Sequence, residues 1–264
     1  MALAFETRDA MPRPDPSTPR LFVALALAEG REAALTLEQA NYVVNVLRLK
    51  PGARVLAFNG RDGEFAAALG AVSRRSATLA LGARTRPPET PGDLDYLFAP
   101  LKHARLDYMA QKVVEMGARR LKPVLTARTQ VKRVNLERLA ANAIEACEQC
   151  GRVFAPEVAP PEPLEQVLAR WPAERLLVFC DEEAPTESPI AALSSAAAPL
   201  GVGLLIGPEG GFDGHERAAI LRLPRVVRLS LGPRVLRADT AAVAALALIQ
   251  ATLGDWTRHS RATR

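Results

Sequence analysis

Short runs of apolar residues alternate with amphipathic stretches over the last two thirds of the chain. Buried strands are predicted where such a run is bounded by turn residues, at 94–101, 124–126, 176–180, 202–206 and 226–231. Between them, apolar positions repeat every three or four residues, which predicts helices at 105–116, 135–149, 215–223 and 241–253. Strands that alternate with helices in this way are typical of an α/β domain with a largely parallel sheet.

The first third of the chain has a different pattern, with short strands separated by turns. Strands are predicted at 21–25, 54–58, 64–69 and 77–81, with one short helix at 38–47. The dipeptide Asn59-Gly60 is a strong tight-turn signal, and strands at this spacing favour a small β-barrel. A stiff proline-rich linker follows at 86–92. We therefore expect a disordered extension at 1–19, a β domain at 20–88 and an α/β domain at 89–264.

The distribution of charge adds a class of partner. The 264 residues carry a formal net charge of +5. Residues 20–88 hold 10 Lys and Arg against 5 Asp and Glu, and residues 100–138 hold 10 against 3. Two such zones favour a polyanionic partner, most often a nucleic acid, although a surface that only serves solubility also fits. Because the sequence has no membrane-length apolar run and no signal-peptide pattern, we expect a cytoplasmic protein without a membrane partner.

The most informative local feature is a pair of glycine-containing loops. The sequence GPEGG at 207–211 directly follows the predicted strand 202–206, and the segment 231–241 follows the strand 226–231. Glycine is needed where the backbone takes positive φ or approaches another group closely. Because open α/β sheets bind ligands at the carboxyl ends of their strands, the two loops are predicted to form the walls of one pocket. Asp239 and Thr240 are both candidates for the N-cap of the helix that follows.

Several common chemistries are disfavoured. The glycines at 201, 203 and 207 lack the spacing of a dinucleotide-binding loop, and the sequence contains neither a P-loop nor a Gly-x-Ser-x-Gly motif. Cys147 and Cys150 form a C-x-x-C at the predicted carboxyl end of a helix, which is the wrong end for a redox pair. The other cysteine and the three histidines offer no zinc-binding spacing, so no metal site is predicted.

Taken together, the motifs resemble those of a known family. The first domain contains RLFV (20–23), VLRLKPG (46–52) and FNG (58–60). The second contains Lys102, QK (111–112), EMG (115–117), EQCGR (148–152), GPEGGF (207–212), LG (231–232) and LRADTA (236–241). This ordered set resembles the RsmE family, the bacterial 16S rRNA uridine-N3 methyltransferases of the SPOUT class, over nearly everything after residue 19.

The resemblance implies a fold and an activity. The first domain would be a PUA-like β-barrel that binds RNA, and the second a SPOUT α/β domain with a deep trefoil knot. The protein would be a homodimer that uses S-adenosylmethionine (SAM) as its cofactor. Its substrate would be one uridine of 16S rRNA near the decoding centre, at position 1498 in bacterial numbering, methylated at N3 on the assembled 30S subunit.

The resemblance also implies binding residues. The candidate cofactor contacts lie on the two glycine loops and beside them: Leu205, Ile206, Gly207, Glu209, Gly210, Gly211, Leu231, Gly232, Leu236 and Ala241. The candidate RNA contacts are Arg20, Arg48, Lys50, Lys102 and Arg105. Two positions depart from the family pattern, because Asn41 replaces a frequent histidine and Asp239 replaces a frequent glutamate.

Methylation at N3 needs one group that removes the N3 proton and another that stabilises charge on the uracil oxygens. A carboxylate, Glu148 or Glu145, would do the first, and an arginine, Arg152 or Arg237, the second. From spacing alone, Glu145, Glu148, Gln149 and Arg152 share one helix face, for which contact with solvent is the simpler interpretation.

Two other functions stay open. A ribose 2′-O-methyltransferase of the same class usually has an Asn-Val-Ser-type sequence in the last loop, where this chain has VLRAD at 235–239. A non-catalytic RNA-binding assembly factor would not be expected to keep both glycine loops. Binding of SAM, measured by calorimetry, distinguishes an enzyme from such a factor.

Overall fold

The computed structural model of the chain describes residues 18–73, 76–184, 188–196 and 200–256. These residues form two compact units. The first contains the described residues up to Glu89 together with Glu148–Val153, and the second contains Thr90–Cys147 and the described residues from Phe154 onward. Residues 1–17 of the expected N-terminal extension lie outside the described residues.

The first unit contains a five-stranded sheet. Its strands are β1 (Arg20–Phe22), β2 (Glu32–Ala34), β3 (Arg54–Phe58), β4 (Glu64–Val72) and β5 (Ala77–Arg86), in the order β1-β3-β4-β5-β2. Among the described strands of this sheet, only the pair β1–β3 is parallel. The predicted strand 54–58 is confirmed as β3, whereas β2 was not predicted because three residues carry too short a pattern. The predicted turn is present, since the Asn59 side chain accepts hydrogen bonds from the amides of Arg61 and Asp62.

The predicted helix at 38–47 is regular only in its first half. α1 (Leu37–Asn41) starts with a capping box in which Thr36 and Gln39 each bond the backbone of the other. A π-helical turn (Tyr42–Val46) follows, in which each hydrogen bond spans one more residue than in an α-helix. Apolar spacing did not predict this change, because one widened turn hardly moves the buried positions. The chain leaves the turn at Arg48 with a φ of +55°.

The second unit contains a sheet in which every strand pair is parallel. Its strands are β6 (Leu94–Phe98), β7 (Arg120–Leu125), β8 (Glu157–Val158), β9 (Glu162–Pro163), β10 (Leu176–Cys180), β11 (Val202–Ile206) and β12 (Val226–Leu229). The order is β12-β10-β11-β6-β7-β8, with β9 beside β7. All residues of β6 and β11 are buried, as is usual where helices cover both faces of a parallel sheet. The predicted α/β class with a largely parallel sheet is therefore confirmed.

Six α-helices of the second unit accompany this sheet in the described residues. They are α2 (His103–Glu115), α3 (Leu136–Cys150, whose last three residues are counted with the first unit), α4 (Leu164–Ala169), α5 (Pro189–Ser194), α6 (Gly214–Leu221) and α7 (Ala238–Thr252). α4 and α5 were not predicted, because six residues are too few to establish a helical period. α7 begins three residues before the predicted start at 241, which changes the expected N-cap.

Candidate functional site

The glycine loop after β11 lies close to the core of the second unit. A Cβ at Gly207 would be 2.5 Å from the ring of Phe212, and that ring packs edge to face on Phe179 of β10 with 5.2 Å between centroids. Gly211 has a φ of +69°, and its amide donates to the carbonyl of Pro208 over 2.9 Å. Crowding therefore requires glycine at one position, and backbone conformation requires it at the other.

Two arginines contact this loop. Arg105 Nη1 donates to Glu209 Oε1 over 2.8 Å, and Arg128 Nη1 donates to the carbonyl of Gly210 over 2.6 Å. The sequence assigned Arg105 to RNA and Glu209 to the cofactor, and the structure brings the two side chains together. Both are partly exposed, at 30% and 53%, so this ion pair contributes at most about 1 kcal/mol to stability. A ligand can therefore separate the pair at little cost.

The glycine loop after β12 is more open. Gly232 has a φ of +94°, and a Cβ there would have no atom within 4 Å, so only the backbone conformation requires glycine. Residues 232–235 are exposed, and Val235 is fully so. Three predicted cofactor contacts, Leu231, Leu236 and Ala241, are half-buried. Leu205 and Ile206, at the end of β11, are buried in the sheet beneath the first loop.

The start of α7 differs from the sequence prediction. Arg237 is the N-cap residue, and its carbonyl accepts from the amide of Ala241 over 2.8 Å. The expectation that Asp239 or Thr240 caps the helix is therefore wrong, because the helical backbone starts before the apolar pattern does. Asp239 lies in the first turn, where a negative charge interacts favourably with the helix dipole. The Arg237 side chain is exposed.

A buried carboxylate at the end of β10 connects the elements next to the two loops. Asp181 is 5% exposed and accepts from Arg217 Nη2 over 3.0 Å and from Arg228 Nε over 2.8 Å. Arg217 belongs to α6, which follows the first glycine loop, and Arg228 belongs to β12, which precedes the second. Burial would raise the pKa of Asp181, but the hydrogen bonds from the arginines outweigh burial and hold the pKa below its ordinary 3.8. Asp181 therefore stays charged and helps to fix the spacing of the two loops.

Sequence reasoning missed this carboxylate. The available signal was an acidic residue directly after a buried apolar run, at the edge of the sheet where ligands bind. The arginine partners are 36 and 47 positions away, so no local pattern connects them to Asp181.

Two other titratable groups near this edge, Cys180 and Tyr96, do not qualify as nucleophiles or bases. Burial, and to a lesser extent the neighbouring carboxylate of Asp181, raises the pKa of the Cys180 thiol to about 12. Burial also raises the pKa of Tyr96 well above its ordinary value. Both groups therefore stay protonated at neutral pH. Within the described residues, no group of three or more His, Cys, Asp or Glu is arranged to hold a metal ion.

Arg20 lies in the interior of the first unit and is 8% exposed. Its Nε donates to Glu64 over 2.8 Å, and its Nη atoms donate to the carbonyls of Glu148 and Arg152 over 3.1 and 2.8 Å. We therefore correct the assignment of Arg20 to an RNA phosphate, because protein acceptors surround its buried guanidinium. The other first-unit candidates, Arg48 and Lys50, are exposed, and so is Lys102 of the second unit.

The three predicted catalytic residues fall in both units. Glu148 and Arg152 belong to the first, whereas Arg237 belongs to the second. Glu148 Oε1 accepts from the amide of Phe22 over 2.8 Å. The Arg152 side chain is 11% exposed, and its Nε lies 3.6 Å from Glu89 Oε1.

The predicted helix face that joined Glu145, Glu148, Gln149 and Arg152 is incomplete. α3 ends at Cys150, so Arg152 follows the helix and does not share that face. The intervening Gly151 has a φ of +87°, a conformation typical of the residue that ends a helix. The C-x-x-C pair does lie at the carboxyl end of α3, with Cys147 buried and Cys150 exposed.

Asn41, where the family pattern often has histidine, is exposed and accepts a hydrogen bond from the side chain of Asn45 over 2.8 Å. Both residues belong to the helical segment before Arg48.

Among the described residues, no helix is long and apolar enough to cross a bilayer.

Two family models match the chain. Residues 88–250 match the RNA methyltransferase domain, and residues 35–81 match the RNA methyltransferase PUA domain. The fold and these matches define the class of protein: an α/β RNA methyltransferase domain preceded by a PUA domain.

Individual relatives define the family more closely. The chain is 29% identical over 232 residues to ribosomal RNA small subunit methyltransferase E of Rickettsia conorii, covering 88% of this chain and 94% of the relative. It is 30% identical over 244 residues to the Bacillus subtilis protein of the same name, covering 87% and 95%. The chain therefore belongs to the ribosomal RNA small subunit methyltransferase E family, which confirms the resemblance found in its motifs.

Solved structures agree with this family. Ribosomal RNA small subunit methyltransferase E of Neisseria gonorrhoeae, bound to S-adenosyl methionine, superimposes with a TM-score of 0.81 at 27% identity. A Legionella pneumophila protein, in complex with its bound cofactor SAM, superimposes with a TM-score of 0.80 at 31% identity. Each match covers 90% of this chain and 99% of the other.

Proposed function

We propose that this chain methylates N3 of a single uridine in 16S rRNA, at position 1498 near the decoding centre, with SAM as the methyl donor. One observation carries the proposal: two glycine loops follow β11 and β12 at the carboxyl edge of the parallel sheet, in a chain that belongs to this family. The name of the relatives supports small-subunit rRNA as the substrate. The ordered set of motifs supports the choice of N3 and of this uridine.

The residues of the two loops support the placement of SAM against them. Gly207 and Gly211 let the loop backbone pass close to the Phe212 ring and the Glu182 carboxylate, which sets the positions of the loop amides. Leu231, Leu236 and Ala241 are half-buried and provide an apolar wall for adenine. The polar contacts come from loop amides and from half-exposed Glu209, which is suited to a ribose hydroxyl. SAM, when bound, supplies an electrophilic methyl group on a sulfonium centre.

The RNA is bound by exposed cations of both units. Arg48 and Lys50 follow the π-helical turn of the first unit, and Lys102 is the N-cap residue of α2 in the second. Each phosphate contact would contribute about one to the slope of affinity against salt concentration. Arg105 would exchange its pairing with Glu209 for an RNA phosphate.

Methyl transfer requires that N3 lose its proton. A carboxylate, Glu148 or Glu145, accepts this proton, and a guanidinium, Arg237 or Arg152, stabilises the charge that spreads onto O2 and O4 of uracil. The position of Arg237 suits this role, because its exposed side chain stands between the second glycine loop and the amino end of α7. Orientation of N3 toward the methyl group supplies much of the remaining acceleration.

The proposal extends to the molecular context. We propose a homodimer in the cytoplasm that acts on the assembled 30S subunit. The domain boundary at 88/89, a PUA-like β-barrel in the first unit and a trefoil knot of the SPOUT class in the second belong to the same proposal, and the family membership supports them.

Mass spectrometry of nuclease-digested small-subunit rRNA tests the activity, in cells with and without the gene. We expect the deletion to remove one N3-methyluridine and the wild-type gene to restore it. Arg237→Ala should fail to restore it, whereas Arg234→Ala, which removes an exposed charge from the same loop, should succeed.

The other outcomes identify the alternatives. Loss of a ribose 2′-O-methyl group instead would indicate a different methyltransferase of the same class. An unchanged methylation pattern, together with no calorimetric binding at millimolar SAM, would indicate an RNA-binding assembly factor without catalytic activity.

A further inference from the structure

A buried charge cluster lies at the centre of the first unit. Glu64, at the start of β4, is 2% exposed and accepts from Arg20 Nε and Arg86 Nε, each over 2.8 Å. Arg20 and Arg86 are themselves 8% and 5% exposed. Two buried guanidinium groups this close would repel each other, so the carboxylate between them is the group that permits the arrangement.

Both arginines extend from Glu64 to the loop Glu148–Val153. Arg20 donates to the carbonyls of Glu148 and Arg152, and Arg86 Nη1 donates to the carbonyl of Gly151 over 2.8 Å. These contacts involve main-chain oxygens, so they define the path of the backbone and not the identity of the side chains.

The ends of the loop are held separately. The Glu148 carboxylate accepts from the amide of Phe22, and the Val153 amide donates to Glu89 Oε2 over 2.9 Å. The loop is therefore fixed at both ends and in the middle by residues of the first unit. We call this set of contacts the Glu64 clasp, meaning Glu64 with Arg20 and Arg86 and the three loop carbonyls that they hold.

Glu64 is charged at neutral pH. Burial would raise the pKa of this carboxyl, but the hydrogen bonds from Arg86 and Arg20 outweigh burial and leave the pKa below its ordinary 4.5. Both ion pairs of the clasp therefore persist at neutral pH.

We propose that Glu64 is a positioning residue for methyl transfer: through Arg20 and Arg86 it sets the backbone of the loop that carries Arg152. This inference rests on the proposed function, because it takes Arg152 as a group that contacts substrate. Neither Glu64 nor Arg86 lies in a motif that carries the family resemblance, and Glu64 has no direct part in the chemistry.

Hydrogen exchange tests the clasp without any assay of activity. Glu64→Gln keeps the shape of the side chain but removes the charge that holds both arginines. We expect faster amide exchange at 148–153 and little change in the glycine loops of the second unit. Glu32→Gln, at an exposed glutamate of β2, is the matched control and should leave exchange unchanged. Unaltered exchange at 148–153 in Glu64→Gln would overturn the proposal.

Kinetics then test whether the clasp acts through Arg152. We expect Glu64→Gln to lower kcat for rRNA methylation about tenfold or more, as small displacements of catalytic groups do, while KM for SAM changes less than about twofold. In the Arg152→Ala background the same substitution should lower kcat less than about twofold further, because residues that act through one another are not additive. Multiplicative losses in the double variant, or a rise in KM for SAM that accounts for the loss, would overturn the positioning role.

A second variant and the activity of the wild type distinguish the remaining outcomes. If Glu64→Gln does not fold, Arg86→Lys keeps the positive charge but loses the forked geometry, and the same exchange and kinetic changes are expected at smaller size. If the wild type does not methylate 16S rRNA, the proposed function fails and the positioning role with it. Unchanged exchange in an active enzyme would instead reject the positioning role alone.

Discussion

Single residues shape the two glycine loops in opposite ways. At Gly207 the absence of a side chain matters, because the Phe212 ring occupies the space that a Cβ would need. At Asp181 the presence of a charge matters, because one buried carboxylate holds an arginine from each of the two elements that adjoin the loops. The first effect is steric and independent of pH, and the second is electrostatic and must weaken in acid. The two residues can therefore be tested by different measurements.

Gly207→Ala should weaken SAM binding. The added methyl group would lie 2.5 Å from the Phe212 ring, which packs on Phe179 and has little freedom to move, so the loop must shift. We expect the Kd for SAM, measured by calorimetry, to rise about tenfold or more, with a loss of about 1–3 kcal/mol in unfolding free energy. Gly214→Ala is the control, because a Cβ there would have nothing within 4 Å. Wild-type affinity in Gly207→Ala would contradict a close approach of SAM to this loop.

Asp181→Asn should change how stability depends on pH. The folded-state pKa of Asp181 is lower than its ordinary 3.8, so its stabilising contribution is complete above that value and is lost as the pH falls through the folded-state pKa. We expect the variant to lose about 2 kcal/mol of unfolding free energy at pH 7 and to show a shallower decline below pH 4 in chemical denaturation.

The control for this experiment is Glu183→Gln, since Glu183 pairs with the same Arg217 but is 68% exposed. It should change stability by less than about 0.5 kcal/mol, as exposed ion pairs do. A wild-type acid profile in Asp181→Asn would mean that other carboxylates, such as Glu64, account for the pH dependence.

Secondary-structure elements place the cations that we propose to bind RNA. The segment from α1 to Arg48 changes from an α-helix to a π-helical turn and ends at Arg48, which has a left-handed backbone conformation. This conformation costs energy for any residue other than glycine. Local strain of this kind persists where the surrounding structure fixes it, and it is frequent at functional sites. The cost is consistent with a function for the Arg48 side chain at this position.

Arg48→Gly should separate stability from function. Glycine relieves the positive φ, so we expect unfolding free energy about 1 kcal/mol above that of Arg48→Ala, which keeps the strain. Both variants should weaken RNA binding equally and reduce the salt slope by about one, because both lose the same charge. Thermal unfolding and filter binding at several salt concentrations measure the two effects. Full RNA affinity in either variant would remove Arg48 from the interface.

The elements also show what a sequence can predict. The strands 176–180 and 202–206 were predicted because a strand buried on both faces is a continuous apolar run, and the loop at 207–211 because glycine has few other reasons to cluster there. Asp181 and Glu64 were missed because their partners are distant in sequence, 44 positions away for Arg20 and Glu64. The same cause explains the error at Arg20, since an arginine in a basic zone looks exposed until its buried partners are known. Local patterns predict elements, whereas buried charge networks arise only from the fold.

At the scale of the whole molecule, α7 has an apolar stripe that the described residues leave partly exposed. It buries Ala242, Ala245, Leu246, Ile249 and Gln250 in the second unit. The neighbouring stripe is also apolar, at the spacing i, i+3, i+4, i+7, and consists of half-buried Ala244, Ala247 and Leu248 with exposed Ala251. A helix that is apolar nearly all round is normally covered on all sides. The proposed homodimer would supply the missing cover through a second copy of α7.

Leu248→Asp should therefore convert a dimer into a monomer. The proposed two-fold interface would bring the same stripe of both copies together, so one substitution places two unpaired carboxylates in an apolar contact and should weaken association by at least about a hundredfold. Light scattering after size-exclusion chromatography should give twice the mass of one chain for the wild type and a single chain mass for the variant. Leu221→Asp, at an exposed leucine of α6, is the control and should stay dimeric. A wild type that is monomeric at tens of micromolar would reject the homodimer, and a dimeric Leu248→Asp would place the interface on another surface.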